Sequence, residues 1–147
     1  MSVRIVEIKP KYADYVSNII SIRWEIYKGE YAHIVPGYLS KKKESKCFVA
    51  VENGKPIGMG AFHISNDVEV DLHPWCAGLW VEPEKRGNGI GHRLTLKRFA
   101  WARKLGYKVI YLDTVDAEEY HLKFGWRYTG ITGLFHGEPT TIMEHDL

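Results

Sequence analysis

The sequence lacks most of what marks membrane, secreted or metal-holding chains. No window approaches 18 uninterrupted apolar residues, which argues against a membrane span. Behind Met1 the apolar residues are broken by Arg4, Glu7 and Lys9, so no signal-peptide core forms and a cytoplasmic location is expected. Only two cysteines occur, Cys47 and Cys76. Both stand in apolar surroundings without Cys-x-x-Cys spacing, as buried thiols do in a reducing compartment. The seven histidines show no His-x-x-x-His or His–Cys ligand spacing, so no metal is expected. Charge of one sign is scarce too: 20 basic against 18 acidic residues leave +2, too little to suggest nucleic-acid binding. No repeat, low-complexity tract or linker divides the 147 residues, which suit one domain over 1–147 with a sizeable core.

What is present reads as interleaved strands and helices. Residues 3–8 are rich in β-branched side chains and predict a strand. Pro10 opens a helical stretch to about Lys28, ended by Gly29, with a loop through Gly37 and a lysine-rich second helix over 38–45. Strands over 47–52 and 56–65 flank Asn53-Gly54, a strong two-residue hairpin signal. After a turn at residues 65–67, a strand over 68–81 is interrupted near His73-Pro74 and firmest over 76–81. Residues 90–105 form a helix closed by Gly106, and 108–113 an apolar strand expected to be buried on both faces. Asp116 is the expected N-cap of a short helix to Phe124, stopped by Gly125. Strands over 126–131 and 140–144 follow, joined by a turn around Gly133 and Gly137. The order fits a mixed α/β domain with too many hairpins for a doubly wound parallel sheet.

The most informative stretch is 79–92. A strand ending at Val81 leads through Pro83, Arg86, Gly87, Asn88, Gly89, Ile90 and Gly91 directly into a helix. Alternating glycines let the backbone turn tightly and aim several N–H groups at one point. Those groups lack intrahelical acceptors and sit at the positive end of the helix dipole, a good place for a diphosphate. On the helix, Arg93, Lys97 and Lys104 make a basic stripe between an apolar arc of Ile90, Leu94, Trp101 and Leu105 and another of Leu96, Phe99 and Ala100. The stripe is either a solvated strip or added attraction for a phosphate-rich ligand. Other phosphate loops fit less well: no Lys-Ser or Lys-Thr follows a glycine, and the two-residue glycine spacing is not Gly-x-Gly-x-x-Gly.

Arg86-Gly87-Asn88-Gly89-Ile90-Gly91 resembles the [RQ]-x-x-G-x-[GA] signature of the GNAT family of N-acetyltransferases. Leu122-Lys123-Phe124-Gly125-Trp126 resembles that family's second motif, and the element order is similar over nearly the whole chain. The resemblance implies a mostly antiparallel sheet of about seven strands, splayed between the fourth and fifth and flanked by about four helices. It implies acetyl-CoA as co-substrate, with the backbone of Leu79, Trp80 and Val81 on the pantetheine arm and the amides from Gly87 through His92 on the pyrophosphate. For Trp80 itself, packing across the sheet is the expected role.

The implied reaction joins an amine to a thioester, so it needs a base for the amine and an acid near sulfur. Where the family commonly has a tyrosine, four residues before the second-motif glycine, this chain has His121, with Tyr120 one residue earlier. His121 as imidazolium is the favoured acid, with Tyr120 or no side chain as alternatives. Base candidates are Glu69, Asp71 and His73 along the fourth strand, where Asp71-Leu72-His73-Pro74-Trp75 resembles a segment of some bacterial members, and Asp113 at the end of the fifth. Each acid also has a purely structural explanation. Glu25 and Tyr27 are expected to line the acceptor pocket, and the aromatics Trp24, Tyr27, Tyr31 and Tyr38 fit either an apolar or planar acceptor or simple core packing. A small-molecule or peptide amine is the expected acceptor, of open identity, with no nucleic-acid or membrane partner. Homodimers are common in the family. The other reading is a CoA-binding sensor or interaction module that kept the loop and lost the chemistry.

Overall fold

The computed structural model describes residues 2–23, 34–40, 42–66 and 68–147. The chain begins with β1 (Val3–Glu7) and a single 3-10 turn (Pro10–Tyr12), whose proline supplies the fixed φ that a helical start needs, and continues into α1 (Ala13–Arg23). After α2 (Ile34–Leu39), β2 (Ser45–Glu52) and β3 (Lys55–His63) form a hairpin. Its turn residues Asn53 and Gly54 both have positive φ, 52° and 76°, the conformation that matches the twist of paired strands. β4 (Trp75–Val81), a 3-10 turn (Pro83–Lys85), α3 (Ile90–Lys104), β5 (Val109–Thr114), α4 (Glu118–Lys123), β6 (Arg127–Phe135) and β7 (Glu138–Asp146) complete the chain.

The strands form one seven-stranded sheet in the order β1-β2-β3-β4-β5-β7-β6. All neighbours are antiparallel except β4 and β5. On one face, Tyr12, Val16 and Ile19 of the first helical stretch and Val35 and Tyr38 of α2 pack on Cys47, Val49 and Val51 of β2 and on Met59 and Ala61 of β3. On the other, Ile90 and Leu94 of α3 cover Phe48, Ala50 and Ile57. Two turns further along α3, Phe99 and Ala102 meet Phe62, Cys76, Ile110, Leu112, Trp126 and Met143. Helices on both faces explain why the interior of β2 is buried throughout. Both cysteines are free and buried.

Several boundaries differ from expectation, each for a physical reason. The second helix lies at Ile34–Leu39 rather than 38–45, because Pro36 sits in its first turn, where a missing N–H costs nothing. Residues 69–74 are not a strand; Val68 makes one isolated bridge to Phe135. β5 has one fully buried face, with Ile110, Leu112 and Thr114, while Val109, Tyr111 and Asp113 are half-buried. Residues 68–74, not a helix, cover that second face, through Val70 and Leu72. Asp116 does not cap α4: its N-cap is Ala117, with no side-chain cap, and the Ala117 N–H donates to Thr114 Oγ1 at 3.0 Å. The last turn is His136-Gly137, φ 49° and 83°, and Gly133 lies within β6. On α3, Leu96 and Ala100 face solvent, so the second apolar arc does not exist as such.

Candidate active site

The parallel pairing between β4 and β5 consists of Trp75 opposite Tyr111, supported by the Tyr111 N–H on the Pro74 carbonyl at 3.0 Å. Beyond that point β4 stays with β3 and β5 with β7, so a cleft opens between them toward their C-terminal ends. β4 also carries a bulge. Ala61 pairs with Ala77 and Gly60 with Leu79, leaving Gly78 as the extra residue, with φ 61°. The bulge changes which face each later side chain occupies. Leu79 and Val81 pack toward α3, whereas Trp80 packs with the α1 side.

At the mouth of the cleft the chain makes the glycine turn. Gly87 and Gly89 have φ of 81° and 78°, which only glycine adopts without strain. Gly89 is the N-cap of α3, with no side-chain cap and no acidic residue in the first turn. The early N–H groups of α3 therefore lack side-chain acceptors. Among the described residues, chain neighbours aside, no heavy atom lies within 4 Å of a Cβ added at Gly87 or Gly89, so the turn is approachable from solvent. Arg86 and Asn88 brace it from within. Arg86 Nε donates to the Val81 carbonyl at 2.8 Å and its guanidinium lies 4.7 Å from the Trp80 ring centre. Asn88 Nδ2 donates to the carbonyls of Lys85 and Arg86. Trp80 Nε1 and Tyr15 Oη both donate to Glu82, and the Lys85 ammonium meets Glu52 at 2.6 Å.

The opposite wall is α4. The Tyr120 hydroxyl stands over Gly91, 2.9 Å from where a Cβ would be, with Leu79 and Val81 side chains beside it. Burial raises the Tyr120 pKa above its usual value, and the Arg98 charge offsets part of that. His92 stacks on Phe124 with ring centres 4.7 Å apart and planes at 19°, joining the start of α3 to the end of α4. His121 lies edge-on both to Tyr120, with ring centres 5.2 Å apart, and to Trp126, at 6.1 Å. Burial, and secondarily the Arg98 charge, lower its pKa to about 4. At neutral pH it is uncharged, so the imidazolium expected of it is not its resting form.

The acids separate into different environments. Asp113 accepts from Asn66 Nδ2 at 3.0 Å and from Thr140 Oγ1 at 3.1 Å, which ties β5 to the 64–66 turn and to β7. Asp71 is fully exposed and accepts from His73 at 3.0 Å. The other ring nitrogen of His73 lies 2.8 Å from the Ile64 carbonyl. With an acceptor at each nitrogen the ring favours its protonated form, and its pKa is raised, chiefly by the Ile64 carbonyl and then by Asp71. Glu69 is exposed, its N–H bonded to the Leu134 carbonyl. Tyr38 is 4% exposed, its hydroxyl 2.8 Å from His63, and belongs to the core. Trp24, Glu25, Tyr27 and Tyr31 lie outside the described residues.

The structure adds residues that the periodic pattern hid. Arg98 is charged yet buried beneath the bulge, bonded to the Ala61 and Gly78 carbonyls and to Thr95. Of the basic stripe, Arg93 donates to the Val3 carbonyl at 2.8 Å, and Lys104 lies 5.4 Å from the Trp101 ring centre. Both are therefore attached to the protein surface and not turned toward the glycine turn.

Among known proteins, the model of the acetyltransferase (GNAT) family matches residues 16–126. An uncharacterized N-acetyltransferase of Methanocaldococcus jannaschii is 29% identical over 99 residues, which make up 60% of this chain and 42% of that protein. The chain thus matches less than half the length of this curated relative. In three dimensions the fold is shared with an aminoglycoside 6′-N-acetyltransferase complexed with coenzyme A, at TM-score 0.78 and 18% identity, over 97% of this chain and 96% of that one. It is shared likewise with the aminoglycoside 6′-N-acetyltransferase from Enterococcus faecium, at TM-score 0.76 and 20% identity over the same shares.

Proposed function

The chain belongs to the acetyltransferase (GNAT) family, and from that premise we propose that it transfers an acetyl group from acetyl-CoA to a primary amine, by direct attack in a ternary complex. The observation that carries this reading is the uncapped start of α3 with its two left-handed glycines, placed where the β4–β5 cleft opens. An anion there meets N–H groups that have no side-chain acceptor, at the positive end of a 15-residue helix. The amides from Gly87 through His92 are assigned to the pyrophosphate. Beyond Trp75 the β5-facing edge of β4 carries no ladder, so the backbone of Leu79, Trp80 and Val81 is assigned to the amides of the pantetheine arm. Arg86 serves this site by holding the turn on Val81.

Acetyl-CoA supplies an activated acyl carbon and a thiol leaving group. Tyr120 is the proposed acid, supported by its hydroxyl position beside Gly91, Leu79 and Val81. Its raised pKa keeps the proton in place until it is needed. His121 is assigned to packing against Trp126. Asp71, with its exposed carboxylate, is assigned to drawing a cationic amine toward the cleft, and Asp113 to fixing the strand ends. The acceptor is a small-molecule or peptide amine.

Calorimetric titration with coenzyme A, followed by thiol release from acetyl-CoA over an amine panel, tests the reading. Saturable binding that weakens in Gly89→Ala, by roughly 5- to 30-fold from the cost of a left-handed non-glycine residue, and thiol release with at least one amine are expected. Binding that is indifferent to Gly89→Ala would place the cofactor elsewhere. Tight binding without release for any amine would favour a sensor.

A further inference from the structure

Arg98 is 3% exposed, and no carboxylate pairs with it among the described residues, whose ion pairs use Lys46, His73, Lys85 and Arg127. Nη1 donates to the carbonyls of Ala61 at 3.1 Å and Gly78 at 3.3 Å, and Nη2 to Thr95 Oγ1 at 2.8 Å. Its buried Nε has no hydrogen-bond partner among the described residues. Space for the guanidinium comes from two glycines: a Cβ at Gly60 would lie 3.3 Å from Nε, and Gly78 is the bulge residue itself. Carbonyl dipoles solvate such a charge in part, but they do not neutralise it, and burial of an unpaired guanidinium is strongly unfavourable. A methionine or leucine would fill the same volume without that penalty.

A chain of contacts leads from the guanidinium through Thr95 and Gly91 to the proposed acid. Gly91, Thr95 and Arg98 share one face of α3, at i, i+4 and i+7, and helical side chains lean toward the N-terminus. Thr95 Oγ1 donates in turn to the Gly91 carbonyl at 3.0 Å, and the Tyr120 hydroxyl rests on Gly91. The guanidinium thus anchors the bulge where the cleft begins and lies along the helix face from the proposed acid. Among the described residues, the groups whose ionisation its charge shifts are Tyr38 on α2, Cys47 on β2, Cys76 on β4, and Tyr120 and His121 on α4, none of them a carboxylate.

Resting on the proposed acetyl transfer, we propose that Arg98 is a positioning residue of that reaction: it fixes the Gly78 bulge and supplies the buried positive charge that favours coenzyme A thiolate as the leaving group. In the step it serves, the amine nitrogen bonds the acyl carbon and the carbon–sulfur bond breaks with its electron pair on sulfur. The nitrogen's proton passes to solvent water, sulfur takes one from Tyr120, and solvent returns a proton to the tyrosinate, so thiol and amide leave with the protein unchanged. A fixed cation lowers the cost of the charge on sulfur before that proton arrives.

Two measurements test this. The first needs no variant: the thiol of coenzyme A bound to the wild-type protein is titrated by its thiolate ultraviolet absorbance. It is expected to ionise about one to two pH units below the free thiol, and about one unit closer to it in Arg98→Met. The second compares kinetics and affinity. Arg98→Met is expected to lower kcat on the order of 10²-fold while the coenzyme A Kd stays within about threefold, and Arg98→Lys, which keeps the charge, recovers most of the loss. Folding is followed by circular dichroism, and Arg98→Gln serves as the neutral variant if Met does not fold. A bound thiol that ionises at its free value overturns the proposal, as does a kcat loss that Lys does not rescue. If the wild-type protein binds no coenzyme A, the acetyltransferase reading itself fails; if it binds and turns over but the thiol and the variants are unaffected, only the role of Arg98 does.

Discussion

At the scale of single residues, Tyr120 and His121 are neighbours with opposite protonation problems. Burial keeps a proton on the phenol and keeps one off the imidazole. The acid role therefore divides them: Tyr120→Phe is expected to lower turnover by roughly 10²-fold or more with little change in coenzyme A affinity, while His121→Phe keeps turnover within about tenfold, packing on Trp126 being retained. The reverse ranking in steady-state assays would return the role to His121. The depressed pKa of His121 also has a consequence for stability. It is about 4 in the folded chain against roughly 6.5 unfolded, so between those values only the unfolded chain takes up the proton. Stability is then present in full above about 6.5 and falls as pH drops toward 4. His73 works the other way: its raised pKa gives stability present in full below about 6.5 and lost as pH rises through the folded value. Urea midpoints at pH 7 and pH 5 separate the two, because His121→Gln should lose less between those pH values than the wild-type chain. An equal loss would assign the acid sensitivity to another group.

At the scale of elements, segment 68–74 determines how the C-terminal half of the sheet is covered. Val68 lies directly over Gly133, so a Cβ there would collide with Val68 Cγ1 and approach Ile142 Cδ1 to 3.0 Å. Gly133→Ala should destabilise by about 1–3 kcal/mol, the usual cost of overpacking, read as a lower denaturation midpoint. Unchanged stability would mean that the segment lifts off β6 at no cost. The expected strand over 68–81, interrupted near His73-Pro74, keeps only its second part, from Trp75, and the difference shows what a sequence can display. The Asn53-Gly54 hairpin, the glycine turn and α3 were legible because turn chemistry and 3.6-residue periodicity are local. The bulge at Gly78 was not, since register depends on β3, some 20 residues away. Arg98 was hidden for a related reason: it stands between Lys97 and Phe99 in the sequence, and only the gap left by Gly60 and Gly78 shows that a charge fits inside. Pro36 and Gly37 read as helix breakers although α2 accommodates both.

At the scale of the whole molecule, the sheet is two pieces meeting at Trp75 and Tyr111. Opening the cleft removes ladder hydrogen bonds between β4 and β5, so side-chain packing has to hold the halves together. α3 does most of this, with Phe99 at the centre: its ring lies 5.7 Å from Trp126 and 4.8 Å from His145, ring centre to ring centre. It also shares a core with Phe62 and Cys76 on the N-terminal side and Ile110, Leu112 and Met143 on the C-terminal side. Phe99→Ala should therefore cost about 3–5 kcal/mol, and unevenly. In hydrogen exchange the amides of β5 and β7 should lose more protection than those of β2 and β3, which keep α1, α2 and the first half of α3. A ligand seated in the cleft contacts both halves, so coenzyme A at 100 times its Kd should return about 2.7 kcal/mol, with the gain concentrated in β4, β5 and α4. Uniform loss of protection across all seven strands would show instead that the halves unfold as one unit, and that the splay between them is bridged by more than the core around Phe99.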